Sequence, residues 1–311
     1  MLLERGELKI GITGVEVDLH NLDAKDLIKE ISRLGHKPEL IYADSLDVSL
    51  GKGGIEIFQS SDKASGAGSE RKMLEPDAVI LRHLGTIRDY EQLTYRLSCI
   101  MAFEEKGIYV MNPVMNWLFG SDKFATLLKL KAHGLPVPDT EVTEKMFVGY
   151  DAVKKFRKAV LKPLRSAMGF GVFKVDDPDL ALYAFSYFTN MSKPMYVQRF
   201  LEKKGGGDYR LVVVGGEVIG TEFRKGATWK SNVAQGAKPV AAKVDSEMQE
   251  LAVKSAEILG LEYAGIDIAE TKEEYFVLET NPTLSWQGFK NAVGINPAKN
   301  IVAHIIKKAR S

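Results

Sequence analysis

A chain of 311 residues, 45% apolar and 27% charged, has material for two or more separately cored domains and argues against a disordered protein. Lys and Arg number 42 against 41 Asp and Glu, so no global positive field exists to hold a nucleic-acid backbone, and a small-molecule partner is expected. The opening MLLERGELKIGITGV has no long apolar run or cleavage site, no stretch approaches membrane-spanning length, and the lone Cys99 excludes internal disulfides; a cytoplasmic protein with no membrane partner is expected.

In chain order, KIGITGV predicts a strand, LDAKDLIKEISRLGH an amphipathic helix ending at Gly35, and PELIYAD a second strand, which together make a βαβ opening and a parallel sheet. Residues 60–72, SSDKASGAGSERK, lack apolar periodicity and predict an exposed, mobile loop. AVILRHLG predicts another strand, and EQLTYRLSCIMAFEEKG a helix, with Cys99 in its packing face, leading to the strand IYVMNP. SDKFATLLKLKAHGLPVPDT predicts a helix that starts at Ser121 and stops at Gly-Leu-Pro-Val-Pro, so a new domain is expected near Asn112.

The chemistry-bearing stretches follow. AVLKPLRSAMGFGVFKV, residues 159–175, predicts a hairpin with Lys162 at its base and Gly169 and Gly171 near its tip. It suits either backbone approach to a phosphate or an ordinary glycine-containing turn. Neither GxxxxGK[ST] nor a GxGxxG opening a helix is present. YVQRFL and YRLVVVGGEVIGTEFR predict strands, the second folded at Gly215 and Gly216, with Arg210 and Arg224 at strand ends. Each arginine is either a fork for phosphate or carboxylate or a solvated surface charge. TWKSNVAQGAKP, residues 228–239, reads as a polar binding loop with Lys230, Asn232 and Gln235.

YAGIDIA and EYFVLETN are separated by a short polar turn and predict an antiparallel hairpin. Alternation puts Glu279 and Asn281 on one face. A turn centred near Lys272 would set Asp267 opposite Val277 and diagonal to Glu279, at roughly 7–8 Å between backbones. Two carboxylates sharing a poorly solvated pocket need a metal unless one is protonated, and an all-oxygen set without Cys or His suits Mg²⁺ or Mn²⁺ rather than zinc; the lesser alternative is a solvent-facing hairpin edge with incidental acids. A hairpin over phosphates, cationic side chains and an acidic metal hairpin together suggest phosphoryl transfer from a nucleotide.

Ser121-Asp122-Lys123, Lys162-Pro163 with Gly169 and Gly171, Gln198-Arg199-Phe200-Leu201, Asp208-Tyr209-Arg210, Arg224, Asn232, Asp267 and Glu279-Thr280-Asn281 occur in an order that resembles the ATP-grasp ligases, in their RimK-like branch. The resemblance implies an α/β protein, α+β in its C-terminal part. Its parts are a Rossmann-like preATP-grasp domain at 1–115, a central ATP-grasp subdomain with a glycine-containing lid at 116–195, and a C-terminal subdomain with the metal site at 196–311. It implies that Lys123 and Lys162 touch ATP phosphates, that Gly169 and Gly171 belong to the lid, and that Gln198, Arg199, Phe200 and Leu201 line the adenine pocket. Asp267, Glu279 and Asn281 look like ligands of two Mg²⁺ or Mn²⁺ ions. Arg210 and Arg224 would stabilise the transferring phosphoryl group, Lys230 and Asn232 would lie near the acceptor carboxylate, and Arg82 would face substrate or serve a structural role.

The reaction so implied joins L-glutamate to a small-molecule carboxylate through an acyl-phosphate, in a protein that forms a homo-oligomer. Two features depart from, or narrow, the pattern. Arg165-Ser166-Ala167 stands where many relatives carry a Gly-Ser pair, and Pro282 to Phe289 is similar to a segment of archaeal ligases that glutamylate tetrahydromethanopterin. That segment makes such a coenzyme the expected acceptor, with Trp286 and Phe289 either stacked on a flat acceptor or buried in the core. Alternatives are a protein C-terminus, a deazaflavin coenzyme or an amino-acid carrier protein as acceptor, and a non-catalytic ATP-binding regulatory module.

Overall fold

The computed structural model describes residues 6–15, 20–62, 68–164, 171–231 and 236–311. Strand β1 (Lys9–Gly14), helix α1 (Leu22–Arg33) and strand β2 (Lys37–Tyr42) form the expected βαβ opening, with β1 and β2 parallel. Helix α1 begins where Asn21 Oδ1 accepts the Ala24 N–H, and its apolar stripe of Ala24, Leu27 and Ile31 is buried.

The expected loop at 60–72 is largely strand instead. Strands β3 (Leu46–Gly51), β4 (Gly54–Asp62) and β5 (Ser69–Met73) form an antiparallel three-stranded sheet. Every residue of β5 is exposed, so no apolar alternation marks it, and backbone pairing holds it with little help from burial. Residues 63–67 of the expected loop lie outside the described residues. Strand β6 (Ala78–Ile80), helix α2 (Tyr90–Glu105) and strand β7 (Tyr109–Met111) then complete a parallel sheet of order β2-β1-β6-β7. Cys99 is buried in α2, and burial pushes its thiol up, as suits core packing.

Helix α3 (Val114–Ser121) precedes α4 (Lys123–Ala132). Ser121 therefore ends one helix rather than starting the next. Asp122 is the N-cap of α4, its Oδ1 accepting the Phe124 and Ala125 N–H groups. Strand β8 (Thr140–Thr143), helix α5 (Met146–Phe156), strands β9 (Ala159–Lys162) and β10 (Phe173–Val175), helix α6 (Pro178–Asn190) and strand β11 (Met195–Arg199) follow. Their antiparallel sheet has the order β10-β9-β11-β8, and Val153 of α5 and Phe185 of α6 are buried with Leu161 and Val197 of the sheet. The hairpin expected at 159–175 is present, with Phe173 opposite Leu161.

The last part holds strands β12 (Asp208–Val214), β13 (Glu217–Lys225) and β14 (Lys238–Ala241), helix α7 (Ser246–Leu259), strands β15 (Tyr263–Glu270) and β16 (Tyr275–Asn281), and helices α8 (Gln287–Val293) and α9 (Pro297–Ala309). The five strands form an antiparallel sheet of order β14-β13-β12-β15-β16. Gly215 (φ 61°) and Gly216 (φ 84°) make the expected tight turn between β12 and β13, where two consecutive positive φ values favour glycine.

One hydrophobic cluster joins the N-terminal and C-terminal sheets. Ile10, Ile12 and Ile80 pack with Val212, Tyr263, Trp286, Ile301 and Ile305. At the seam, buried Asn112 donates to the Tyr263 carbonyl (2.9 Å) and accepts from the Glu262 and Tyr263 N–H groups (2.6 and 3.0 Å), so its amide is satisfied across the joint. No described helix is long and apolar enough to cross a membrane.

Candidate active site

The cavity between the β8–β11 sheet and the β12–β16 sheet has a volume of about 650 Å³, and among the described residues seven Lys and Arg side chains line it against four carboxylates. That imbalance favours an anionic ligand. Its floor is a transverse row of charged residues on four neighbouring strands. Glu222 of β13 pairs in register with Arg210 of β12, Arg210 with Asp267 of β15, and Asp267 with Glu279 of β16. Two residues along, Asp208 pairs with Arg224, so period-two alternation places a second opposite-charge pair beside the row.

The register differs from expectation at the functional hairpin. Asp267 lies opposite Glu279 rather than Val277, because the ladder shifts between Asp267 and Ile268 and Ile268 takes Val277 as its partner. The shift leaves Leu278 as the extra residue of a bulge, which brings the two carboxylates into direct cross-strand apposition. A fixed turn centre could not reveal it.

Asp267 is almost fully buried and held by guanidinium groups. Arg210 Nε and Nη2 donate to its two oxygens at 2.7 and 2.8 Å, and Arg224 Nη2 lies 2.8 Å from Oδ2. Burial alone would raise the Asp267 pKa, but Arg210 and Arg224 outweigh it and hold the carboxyl well below the usual range. Arg224 also donates through Nε and Nη2 to Asp208 Oδ1 at 3.0 and 2.7 Å, and Lys203 Nζ stands 3.2 Å from Asp208 Oδ2. Burial opposes the charge on Arg224, yet Asp208 and Asp267 push its pKa up. At Asp267, though not at Glu279, positive charge is supplied by arginine.

Those contacts bear on a metal. Asp267, Glu279 and Asn281 bring oxygen donors to one side of two paired strands, and Asn281 Nδ2 lies 3.5 Å from Asp267 Oδ2. The set suits a hard divalent cation by donor type, and the arginines keep Asp267 in its charged form. Among the described residues no group of three or more His, Cys, Asp and Glu is gathered for a metal.

At the cavity's other wall, Lys162 donates to Gln198 Oε1 at 2.8 Å, and Gln198 Nε2 donates to Thr140 Oγ1 and Tyr196 Oη, each at 3.0 Å. Gln198 thus orients Lys162 while itself lining the cavity. Burial lowers the Lys162 pKa to about 8, only partly opposed by Glu279. Lys123, Arg199, Phe200, Leu201 and Lys230 line the cavity as well, and Arg199 also pairs with Asp139 at 3.3 Å. Gly171 adopts φ 71°, where a Cβ would meet Pro163 Cγ at 2.8 Å; Gly169, Asn232, Gln235 and residues 165–167 lie outside the described residues.

Arg82 does not line the cavity. It is buried, donating to the Leu284 carbonyl at 3.0 Å and to Asp23 at 3.5 Å, with its guanidinium 4.4 Å from the Trp286 ring centre. Trp286 is fully buried and so cannot stack on a substrate, while Phe289 borders the cavity from within the core. Sequence reasoning passed over Lys203, Asp208 as a partner for Arg224, Glu222, Trp229 and Ser231 as cavity residues. The alternation that selects Arg210 and Arg224 also selects Asp208 and Glu222, so for those two the signal was present.

Residues 120–305 match the RimK-like ATP-grasp domain family. The chain is 33% identical to the tetrahydromethanopterin:alpha-L-glutamate ligase of Methanocaldococcus jannaschii, over 68% of this chain and 75% of that one. It is 28% identical to the enzyme of the same name from Methanosarcina acetivorans, over 96% and 98% of the two chains. Among solved structures, the ATP-grasp ligase PsnB complexed with a phosphomimetic variant of its minimal precursor, Mg and ADP is similar with a TM-score of 0.74 and 21% identity, covering 97% of this chain and 99% of that one. The chain belongs to the RimK-like ATP-grasp family. It is an ATP-dependent ligase, which sets aside the regulatory-module alternative.

Proposed function

We propose that this ligase joins L-glutamate to a small coenzyme bearing a carboxylate, with tetrahydromethanopterin as the first acceptor to test. The observation that carries the reading is the 33% identity to a ligase of that name across three quarters of its length. The cation-rich cavity supports it, because ATP and both carboxylate substrates are anionic.

In the proposed reaction an acceptor carboxylate oxygen attacks the γ-phosphorus of ATP, and the bond to the β-phosphate oxygen breaks to release ADP. The amino nitrogen of glutamate then attacks the acyl carbon, the carbon–oxygen bond to phosphate breaks, and an amide and inorganic phosphate remain as the nitrogen loses its proton. Lys123 and Lys162 supply charge to the nucleotide phosphates, with Gln198 holding Lys162 in place. Phe200 and Leu201 offer apolar contact to the base, and Arg199 borders them. Arg210 and Arg224 stabilise the phosphoryl group in flight, held in position by Asp267 and Asp208. Lys230 and Asn232 receive the acceptor carboxylate, and Gly169 and Gly171 belong to a lid whose task is to keep water from the acyl-phosphate.

Asp267, Glu279 and Asn281 hold divalent ions, Mg²⁺ or Mn²⁺ and two in number, which when bound neutralise phosphate charge. The division at 115 and 195 places every residue given a role here in the two later parts, 116–195 and 196–311. The resting protein is a cytoplasmic homo-oligomer. The test is ADP formation with Mg²⁺-ATP, L-glutamate and a panel of acceptors including a deazaflavin coenzyme, an amino-acid carrier protein and a protein C-terminus, with product masses recorded. Tetrahydromethanopterin-dependent ADP with a glutamyl mass increment is the expected result. Preference for another acceptor would overturn the coenzyme assignment, and no turnover on any would overturn the reading as a whole.

A further inference from the structure

Glu222 is the cavity carboxylate that neither the arginine network nor the metal set uses. It is 2% exposed, and its Oε2 is buried without a hydrogen-bond partner among the described residues. Buried carboxylate oxygens are rarely left so, since an unmet acceptor keeps its full desolvation penalty. Its strand neighbour Arg210 gives Nε and Nη2 to Asp267, and Arg224 gives Nε and Nη2 to Asp208 and Asp267. Burial pushes the Glu222 carboxyl up, and the two arginines only partly oppose that. A carboxylate in this condition matches a ligand that brings its own N–H donors.

Position says which ligand. In the row Glu222–Arg210–Asp267–Glu279, the metal carboxylates lie on one side of Arg210 and Glu222 on the other. Two strand spacings separate Glu222 from Asp267, roughly 10 Å. Beyond Glu222 the row ends at Ala241 of β14, a small exposed residue, and Trp229 and Lys230 border the same cavity. If phosphoryl transfer is centred on Arg210 and Arg224, Glu222 sits on the side away from the metal carboxylates. The other carboxylates are placed otherwise: Asp208 and Asp267 are paired with cations, and Glu279 stands at the metal end.

We infer that Glu222 is the recognition group for the amino end of the incoming amino acid, accepting hydrogen bonds from its nitrogen and aiming it at the acyl carbon. The inference rests on the ligase reading of the same cavity. It makes Glu222 a specificity residue for the second half-reaction alone.

The test compares wild type with Glu222→Gln, which keeps shape and one acceptor oxygen but removes the negative charge. Acyl-phosphate formation is read as acceptor-dependent hydroxamate with hydroxylamine in place of the amino acid, and amine recognition as the KM for L-glutamate. The expected result is hydroxamate formation and nucleotide affinity within about twofold of wild type, with the glutamate KM raised about tenfold or more, the range for a hydrogen bond to a charged group. Inhibition by 2-hydroxyglutarate, which lacks the ammonium, should be equal in the two proteins. Glu222→Asp, which retains charge, should fall between them and serves if the Gln variant does not fold.

An unchanged glutamate KM would overturn the inference and leave the ligase reading standing. Loss of hydroxamate formation in the variant would overturn it too, by moving Glu222 to the first step. A wild type silent with hydroxylamine on every acceptor would instead sink the ligase reading, and this inference with it.

Discussion

Half-buried Lys162 and buried Asp267 are both desolvated charges, and they respond to substitution in opposite ways. The folded pKa of Lys162 lies near 8, below its ordinary 10.5, so the charged form is disfavoured by folding and stability should rise as pH climbs from about 8 to 10.5. Lys162→Met should therefore raise the melting temperature of the nucleotide-free protein at pH 7, with the gain shrinking by pH 10, while weakening ATP binding about tenfold or more. Calorimetry in buffers of different ionisation enthalpy should show wild type taking up a proton on binding ATP near pH 9; its absence would contradict phosphate contact by Lys162. At Asp267 the charge is paired, and Asp267→Asn leaves two guanidinium groups short of a partner, a loss of about 3 kcal/mol or more in chemical denaturation. Glu279→Gln should abolish phosphate release with a melting temperature close to wild type, and wild-type turnover in that variant would contradict the metal assignment.

At the scale of elements, the segment after β13 is held by a close backbone approach. A Cβ on Gly226 would lie 2.2 Å from the Lys230 carbonyl oxygen, so Gly226→Ala must displace the turn that carries Trp229 and Lys230. The acceptor KM should rise about tenfold, as expected for misplaced binding groups, with nucleotide affinity nearly unchanged. Equal loss of both affinities would place that turn on the nucleotide instead. The hairpin of β15 and β16 was legible in YAGIDIAETKEEYFVLETNP because two strand-like runs flank a short polar turn. The Leu278 bulge was not legible, since it depends on which backbone groups meet across the ladder.

For the whole molecule, the contacts between its first and last segments matter most. Arg82 ties the Leu284 carbonyl and Asp23 together and covers Trp286, while Trp117 Nε1 donates to Thr283 at 2.7 Å and Thr283 to the Arg82 carbonyl at 2.6 Å. Arg82→Met should destabilise the protein by about 3 kcal/mol through the unpaired Asp23, and both substrate KM values should stay near wild type. A raised KM at unchanged stability would return Arg82 to a substrate role.

The features legible from the chain alone are local ones. Periodicity marked the βαβ opening, the central hairpin and the β15–β16 hairpin, and the order of charged motifs marked the family, because each depends on residues near one another in the chain. Only the tertiary structure decided which charges meet. Asp208, Arg210, Glu222, Arg224 and Asp267 come from three strands whose register sets the pairs, and burial sets how strongly those pairs interact. For the same reason Gln198 could be found from its motif, whereas its role as the orienter of Lys162 could not: that bond spans 36 residues of chain and exists only once β9 and β11 lie side by side.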